Sequence, residues 1–224
     1  MKGQGLLRKY DTFVFDWDGT LARVKLLMKL NEMLNPGWAY RKKRSMELID
    51  KYSTKQPRDV NSLKGKEIRR HIRIKEAESG IPAVLADLSL YFLKPSLQNY
   101  SREALNKIKK NGADIALFTN GANFRISREL SYLGLQDYFT VMVSAQSLNT
   151  LKPNPLGLEI ILKALHARKE KTLYVGDMVN DIEAAKYAGV HSCAIADGFS
   201  SFEKLAGAKP DYLFRSMEAF FKAL

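Results

Sequence analysis

Asp16 and Asp18 stand one residue apart in the run Thr12-Phe13-Val14-Phe15-Asp16-Trp17-Asp18-Gly19-Thr20-Leu21. The apolar stretch before them is β-prone and ends abruptly in the two carboxylates. In an open α/β sheet, ligands bind outside the carboxyl ends of the strands, which is where both acids would sit. Two anionic groups this close repel, so they call for a cation, a shared proton or solvent. A cation that also neutralises a phosphate would satisfy the pair. Later segments offer partners: Phe118-Thr119-Asn120-Gly121, Leu151-Lys152-Pro153-Asn154-Pro155, and Val175-Gly176-Asp177 with Asp181 beyond it. Each has an ordinary reading when taken alone. Threonine is common in strands and Asn-Gly makes turns. Lys152 could be a solvent-exposed lysine, and Asp177 could close a loop. Asp181 suits the first turn of a helix, with Asn180 and Glu183 at capping-box spacing.

The elements that must hold these residues follow from periodicity. The first strand is Thr12–Phe15. Residues 22–93 then read as helical, with helices over Val24–Leu34, Trp38–Tyr52 and Leu63–Ser79 and a fourth over Pro82–Leu93. Beyond Pro95 strands and helices alternate. Helices are expected over Ser101–Asn111 (with Ser101 as N-cap), Asn123–Leu133, Pro155–Ala167 and Asp181–Ala188, with a last one from Ser216. Strands are expected over Asp114–Phe118, Thr140–Val143, Thr172–Val175, Val190–Ile195 and Tyr212–Phe214. Such alternation predicts an α/β fold, a doubly wound parallel sheet of Rossmann-like kind, interrupted after its first strand by an all-helical insertion. The expected domains are a core over 1–21 and 96–224 and a helical insertion over 22–95.

Taken together and in this order, the four segments resemble the motifs of the haloacid dehalogenase (HAD) superfamily, in particular its phosphatase branch. Asp16-Trp17-Asp18-Gly19-Thr20 is similar to the first motif, Phe118-Thr119-Asn120-Gly121 to the second, Lys152-Pro153 with Pro155 to the third, and Gly176-Asp177 with Asp181 to the fourth. The helical insertion sits where the family's C1 caps enter. One departure is Asn149, which stands where many relatives carry glycine; asparagine also tolerates left-handed backbone geometry.

The resemblance implies a role for each residue. Asp16 would be the nucleophile that forms an aspartyl-phosphate, and Asp18 the acid and base that serves the leaving oxygen and then water. Thr119, Asn120, Lys152 and Gly19 would bind the phosphoryl group, with Lys152 supplying a compact positive charge. Mg2+ would be held by Asp16, Asp18 (through its backbone carbonyl), Asp177 and Asp181, the last directly or through water. The expected reaction is Mg2+-dependent hydrolysis of a small anionic phosphomonoester, of the phosphoglycolate or sugar-phosphate kind. Asp18 argues against carbon–halogen chemistry, because the dehalogenases of the superfamily lack an acid at that place. A phosphomutase keeps both acids and stays open as an alternative.

Composition sets the remaining bounds. The 224 residues are 46% hydrophobic, enough for a sizeable core, and carry a net charge of +12. From Ala22 to Gln98 there are 17 lysines and arginines against 8 acids, so most of the excess lies in the insertion. A basic surface attracts small anions or nucleic acid. A small phosphorylated substrate is the expected partner; a nucleic-acid-binding role for the basic insertion is the less favoured alternative, though Trp38, Tyr40 and Tyr52 are available for stacking. No apolar run is long enough to span a membrane, and no apolar signal core precedes the first strand. Cys193 is the only cysteine, which rules out an internal disulfide and fits a reducing, cytoplasmic setting. Monomer and homodimer both remain open.

Overall fold

In the computed structural model, residues 5–23, 94–148 and 150–224 are described. The helices expected between 24 and 93 and the departure at Asn149 lie outside the described residues. The stretches on either side of the insertion belong to one compact unit.

Six strands form a parallel sheet: β1 (Thr12–Phe15), β2 (Asp114–Thr119), β3 (Val141–Ser144), β4 (Thr172–Gly176), β5 (His191–Ile195) and β6 (Tyr212–Phe214), in the order β3-β2-β1-β4-β5-β6. The helices are α1 (Leu6–Lys9), α2 (Ser101–Lys110), α3 (Asn123–Leu133), α4 (Leu156–Ala164), α5 (Val179–Ala188), α6 (Phe202–Gly207) and α7 (Met217–Ala223). Every residue of β1 is buried, as a central strand covered on both faces requires. Phe13 and Phe15 pack with Leu105 and Ile108 of α2, Ile126 of α3 and Phe220 of α7. Val14, pointing the other way, joins Leu158 and Ile161 of α4 and Ala184 and Ala185 of α5. The two-residue period of β1 thus divides the core into its two layers.

Register fixes where the strands end. Phe15 lies opposite Leu117 of β2 on one side and Val175 of β4 on the other. Asp16, Thr119 and Asp177 therefore leave the sheet at the same edge. That edge is also where the strand order reverses direction, because β1 connects outward to β2 and β3 before the chain returns to β4 on the opposite side. A crevice forms at such a switch point.

Where the chain leaves and re-enters the core, Ala22 and Leu97 form an antiparallel bridge. Arg23 N–H donates to Ser96 O at 2.8 Å and Gln98 N–H donates to Leu21 O at 2.8 Å.

Several element boundaries differ from those expected. Ser101 is the first residue of α2 rather than its cap; Tyr100 precedes it in a left-handed conformation, and the Ser101 hydroxyl donates to Leu21 O instead. Helix α5 begins at Val179, two residues earlier than expected, because Asp181 reaches back to the Met178 N–H. Helix α4 stops at Ala164, and His166 follows in the left-handed region. Strand β3 is shifted by one residue so that Ser144 pairs with Thr119. The short helices α1 and α6 have too few residues to show a period in sequence. Among the described residues, no helix is long and apolar enough to cross a membrane.

Candidate active site

Asp16 follows β1 directly, and its side chain is buried. Its Oδ1 lies 2.7 Å from Nζ of Lys152, which arrives from the loop between β3 and α4. That loop is held by Asn120, whose Oδ1 accepts the Lys152 backbone N–H at 3.1 Å. The same ammonium lies 2.6 Å from Asp181 Oδ1 and donates to the Tyr174 hydroxyl at 3.0 Å. Lys152 is therefore enclosed by acceptors, and is no solvent-exposed lysine.

Asp177 is fully buried at the end of β4. Thr20 Oγ1 donates to its Oδ1 at 3.0 Å, and the Phe199 N–H donates to its Oδ2 at 2.6 Å. Gly19, at φ 89°, makes the left-handed turn that brings the first motif over this carboxylate. On the other side stands Gly198, where a Cβ would overlap Oδ2 of Asp177. Asp181 accepts the backbone N–H groups of Asp177 and Met178 at Oδ2, at 3.2 and 2.9 Å. It thereby caps α5 and ties the Asp177 loop to Lys152.

One oxygen each of Asp16, Asp177 and Asp181 lies within 4.8 Å of the others. All three are buried, with Lys152 the cation among them. Burial pushes the Asp16 carboxyl up to about 7; Lys152 opposes this, and Asp181 and Asp18 add to it. Burial, with Asp16 and Asp181 as neighbours, also pushes Asp177 well above the usual carboxylate range. For Lys152, burial works against the charged form, but the carboxylates of Asp16 and Asp181 outweigh it and raise the ammonium above ordinary lysine. The oxygen donors and surplus negative charge of this cluster suit a hard divalent cation.

Asp18 is not part of that cluster. Its carboxylate turns toward α3, where Arg125 contacts both oxygens, one through Nη1 at 3.1 Å and the other through Nη2. Arg125 also pairs with Glu129 at 3.0 Å, and Glu129 accepts the indole N–H of Trp17 at 2.6 Å. Burial raises Glu129 despite the pull of Arg125. In the second motif, Thr119 is buried and its Oγ1 accepts the Gly121 N–H at 3.0 Å. A Cβ at Gly121 would overlap the Arg125 guanidinium and approach Asp18 Oδ2, so this loop lies against Asp18.

Sequence reasoning did not find Arg125, Glu129 or Tyr174. The first two stand four apart on a helix and flank Ile126 and Leu130, both buried, a placement that points charged groups toward the interior. Tyr174 carries a hydroxyl near the end of an otherwise apolar strand, which was the available signal. Cys193 is a buried core residue whose thiol is pushed up by burial.

Comparison with known proteins agrees with this geometry. A family model described as haloacid dehalogenase-like hydrolase matches residues 13–195. The pyrophosphatase PpaX of Listeria welshimeri is 26% identical over 215 residues, covering 93% of this chain and 94% of its own. The PpaX of Halalkalibacterium halodurans is 32% identical over 115 residues, 51% of this chain and 54% of its own. The phosphoglycolate phosphatase of Vibrio vulnificus is 32% identical over 116 residues, 52% and 51% of the two chains. Among solved structures, a predicted phosphoglycolate phosphatase from Haemophilus somnus 129pt superposes with a TM-score of 0.67 at 24% identity over 96% of this chain and 97% of its own. The L-2-haloacid dehalogenase of Xanthobacter autotrophicus gives 0.66 at 19% identity over 95% and 97%. With the motif residues gathered at the switch point of a six-stranded parallel sheet, and the family match running from β1 through β5, this chain belongs to the haloacid dehalogenase-like hydrolase family.

Proposed function

We propose that this hydrolase is a Mg2+-dependent phosphatase that acts through a phosphorylated Asp16 on a small anionic phosphomonoester. The observation that carries this reading is the pairing of Asp16 with Lys152 beside two further buried acids. Asp16 and Asp177 would hold the cation, with Asp181, whose nearest oxygen lies within 4.8 Å of theirs, as the third acid. When bound, it supplies positive charge to the Asp16 carboxylate and to the phosphoryl oxygens. The backbone carbonyl of Asp18 is a further ligand in the expected set.

Asp16 attacks phosphorus, and the bond from phosphorus to the ester oxygen breaks as the new bond to the carboxylate forms. Lys152 offsets charge on the equatorial oxygens, with Thr119 and the N–H groups near Gly19 and Asn120 as further donors. Asp18 gives its proton to the departing oxygen. It then takes a proton from the water that attacks phosphorus, which releases phosphate and restores the Asp16 carboxylate.

The segment 22–95 is read as a helical cap that closes over the ester and excludes water, and its positive charge favours a substrate with a second anionic group. Relatives named for pyrophosphate and for phosphoglycolate, each of which carries a second anionic group beside the phosphoryl group, support this substrate class. A phosphate-release screen over pyrophosphate, phosphoglycolate and sugar phosphates, with Mg2+ present and chelated, tests the reading. Activity on at least one, lost on chelation and lost in Asp16→Asn, is the expected result. Release indifferent to chelation, or an active Asp16→Asn protein, overturns it.

A further inference from the structure

Asp18 must reach a leaving oxygen to carry a proton, yet its carboxylate is gripped on both oxygens by a buried guanidinium. The three charged groups of this network differ in exposure. The Asp18 side chain is 24% exposed, whereas Arg125 and Glu129 are 2% and 4% exposed. Glu129 is fixed twice, by the i,i+4 pairing with Arg125 and by the Trp17 indole, whereas Asp18 is the carboxylate at the solvent side.

This asymmetry has a physical consequence. A buried guanidinium that loses its only counter-charge is strongly destabilised. Glu129 remains on Arg125 when Asp18 leaves, so Asp18 can depart without stranding an unpaired charge in the interior. Trp17, lying between the two catalytic acids in sequence, couples the loop that carries Asp18 to the carboxylate that stays behind.

We propose that Arg125 is a positioning residue that docks Asp18 at the mouth of the site, and that Glu129 is the fixed counter-charge that lets Asp18 detach and return. The proposal rests on the phosphatase reading and on the role of Asp18 in it. Docking by a planar fork restricts the carboxylate to one orientation; on detaching, Asp18 takes a proton from water at its exposed side and rotates to deliver it to the ester oxygen. Without Arg125 that orientation is lost. Without the charge of Glu129, Arg125 has one counter-charge fewer, holds Asp18 more tightly, and detachment becomes harder. Both changes impair proton delivery, and neither touches the attack by Asp16.

The test is the dependence of kcat/KM on the leaving group, measured with the full chain in Mg2+ on p-nitrophenyl phosphate and phenyl phosphate. The nitrophenolate leaves readily without a proton, whereas phenolate needs one. For Arg125→Gln, we expect kcat/KM to fall less than about 3-fold on the nitrophenyl ester and about 30-fold or more on the phenyl ester. Glu129→Gln, which retains the Arg125–Asp18 pair, should show the same preference to a smaller extent. It also serves if Arg125→Gln does not fold. Combined with Asp18→Asn, neither change should steepen the leaving-group dependence further. Equal losses on both esters, or no loss on either, overturn the assignment of Arg125 alone. No phosphate release from either ester by the wild-type chain overturns the proposal together with the reading beneath it.

Discussion

The ammonium of Lys152 lies 2.7 Å from the carboxylate of Asp16, and both groups are buried. Lys152 thus gives the Asp16 carboxylate a counter-charge within the protein itself. Lys152→Met removes it and leaves the acid cluster more negative. We expect turnover to fall by 100-fold or more, on the order of 3 kcal/mol of lost transition-state stabilisation. Mg2+ affinity, read by calorimetry at pH 8, should move the other way and tighten. Weakened Mg2+ binding in this variant would contradict the electrostatic account.

Tyr174 holds Lys152 from beneath the sheet edge. Its hydroxyl accepts from Lys152 and stands 3.1 Å from both Phe118 O and Asp181 Oδ1. Burial, followed by the nearby Asp181 and Asp16, keeps this phenol protonated well past its ordinary range. Tyr174→Phe should lower stability by about 1–2 kcal/mol, measured by urea unfolding, because Lys152 loses a buried partner. Turnover should fall several-fold with little change in KM. A variant as stable as the wild type would show that the hydroxyl holds nothing.

The pH dependence of Mg2+ stabilisation follows from Asp16. Its carboxyl titrates near 3.8 when unfolded and is pushed up to about 7 in the metal-free fold. Between these values the folded chain binds more protons than the unfolded one, so metal-free stability falls as pH rises from about 4 to about 7. Mg2+ requires the ionised carboxylate, so its affinity increases over the same window. Melting temperatures with Mg2+ and with chelator should therefore diverge from pH 5 to pH 7. A gap that is constant or that narrows with pH would refute this sign.

Gly198 presses its backbone against Asp177, where a Cβ would overlap the carboxylate. Gly198→Ala should displace Asp177 and weaken Mg2+ binding at least tenfold, read by titration calorimetry. Displacing the carboxylate from the Thr20 and Phe199 donors should also lower stability by about 1–3 kcal/mol. Unchanged Mg2+ affinity would mean that Asp177 is not where the cation is held.

The sheet was legible in sequence because its strands are short apolar runs, and the central Thr12–Phe15 and the edge Tyr212–Phe214 were both bounded correctly on that ground. Helix α3 was bounded just as well, since Gly134 stops it in a left-handed conformation. Family membership was legible from four motifs in order, and the family match agrees. The structure gathers Asp16, Lys152, Asp177 and Asp181 in one cluster, while the Asp18 carboxylate stands outside it. What sequence left open was the direction of individual side chains. Asp181 reads as a helix-capping acid, which it is, but nothing local reveals that its other oxygen faces Lys152. Asp18 reads as a neighbour of Asp16, yet Arg125, more than a hundred residues away, turns its carboxylate elsewhere. Pairings of this kind depend on register between distant strands, and a single chain of letters carries no record of them.

The bridge between Ala22 and Leu97 has a further consequence for descent and redesign. Its stitches, Arg23 N–H to Ser96 O and Gln98 N–H to Leu21 O, are made by main-chain groups alone. Such a joint is blind to the identity of the residues beyond it. Whatever is threaded through this gate can be lengthened, shortened or traded for another module while the first strand keeps its register. The sheet and the residues at its switch point can then stay fixed through a lineage in which the inserted segment changes.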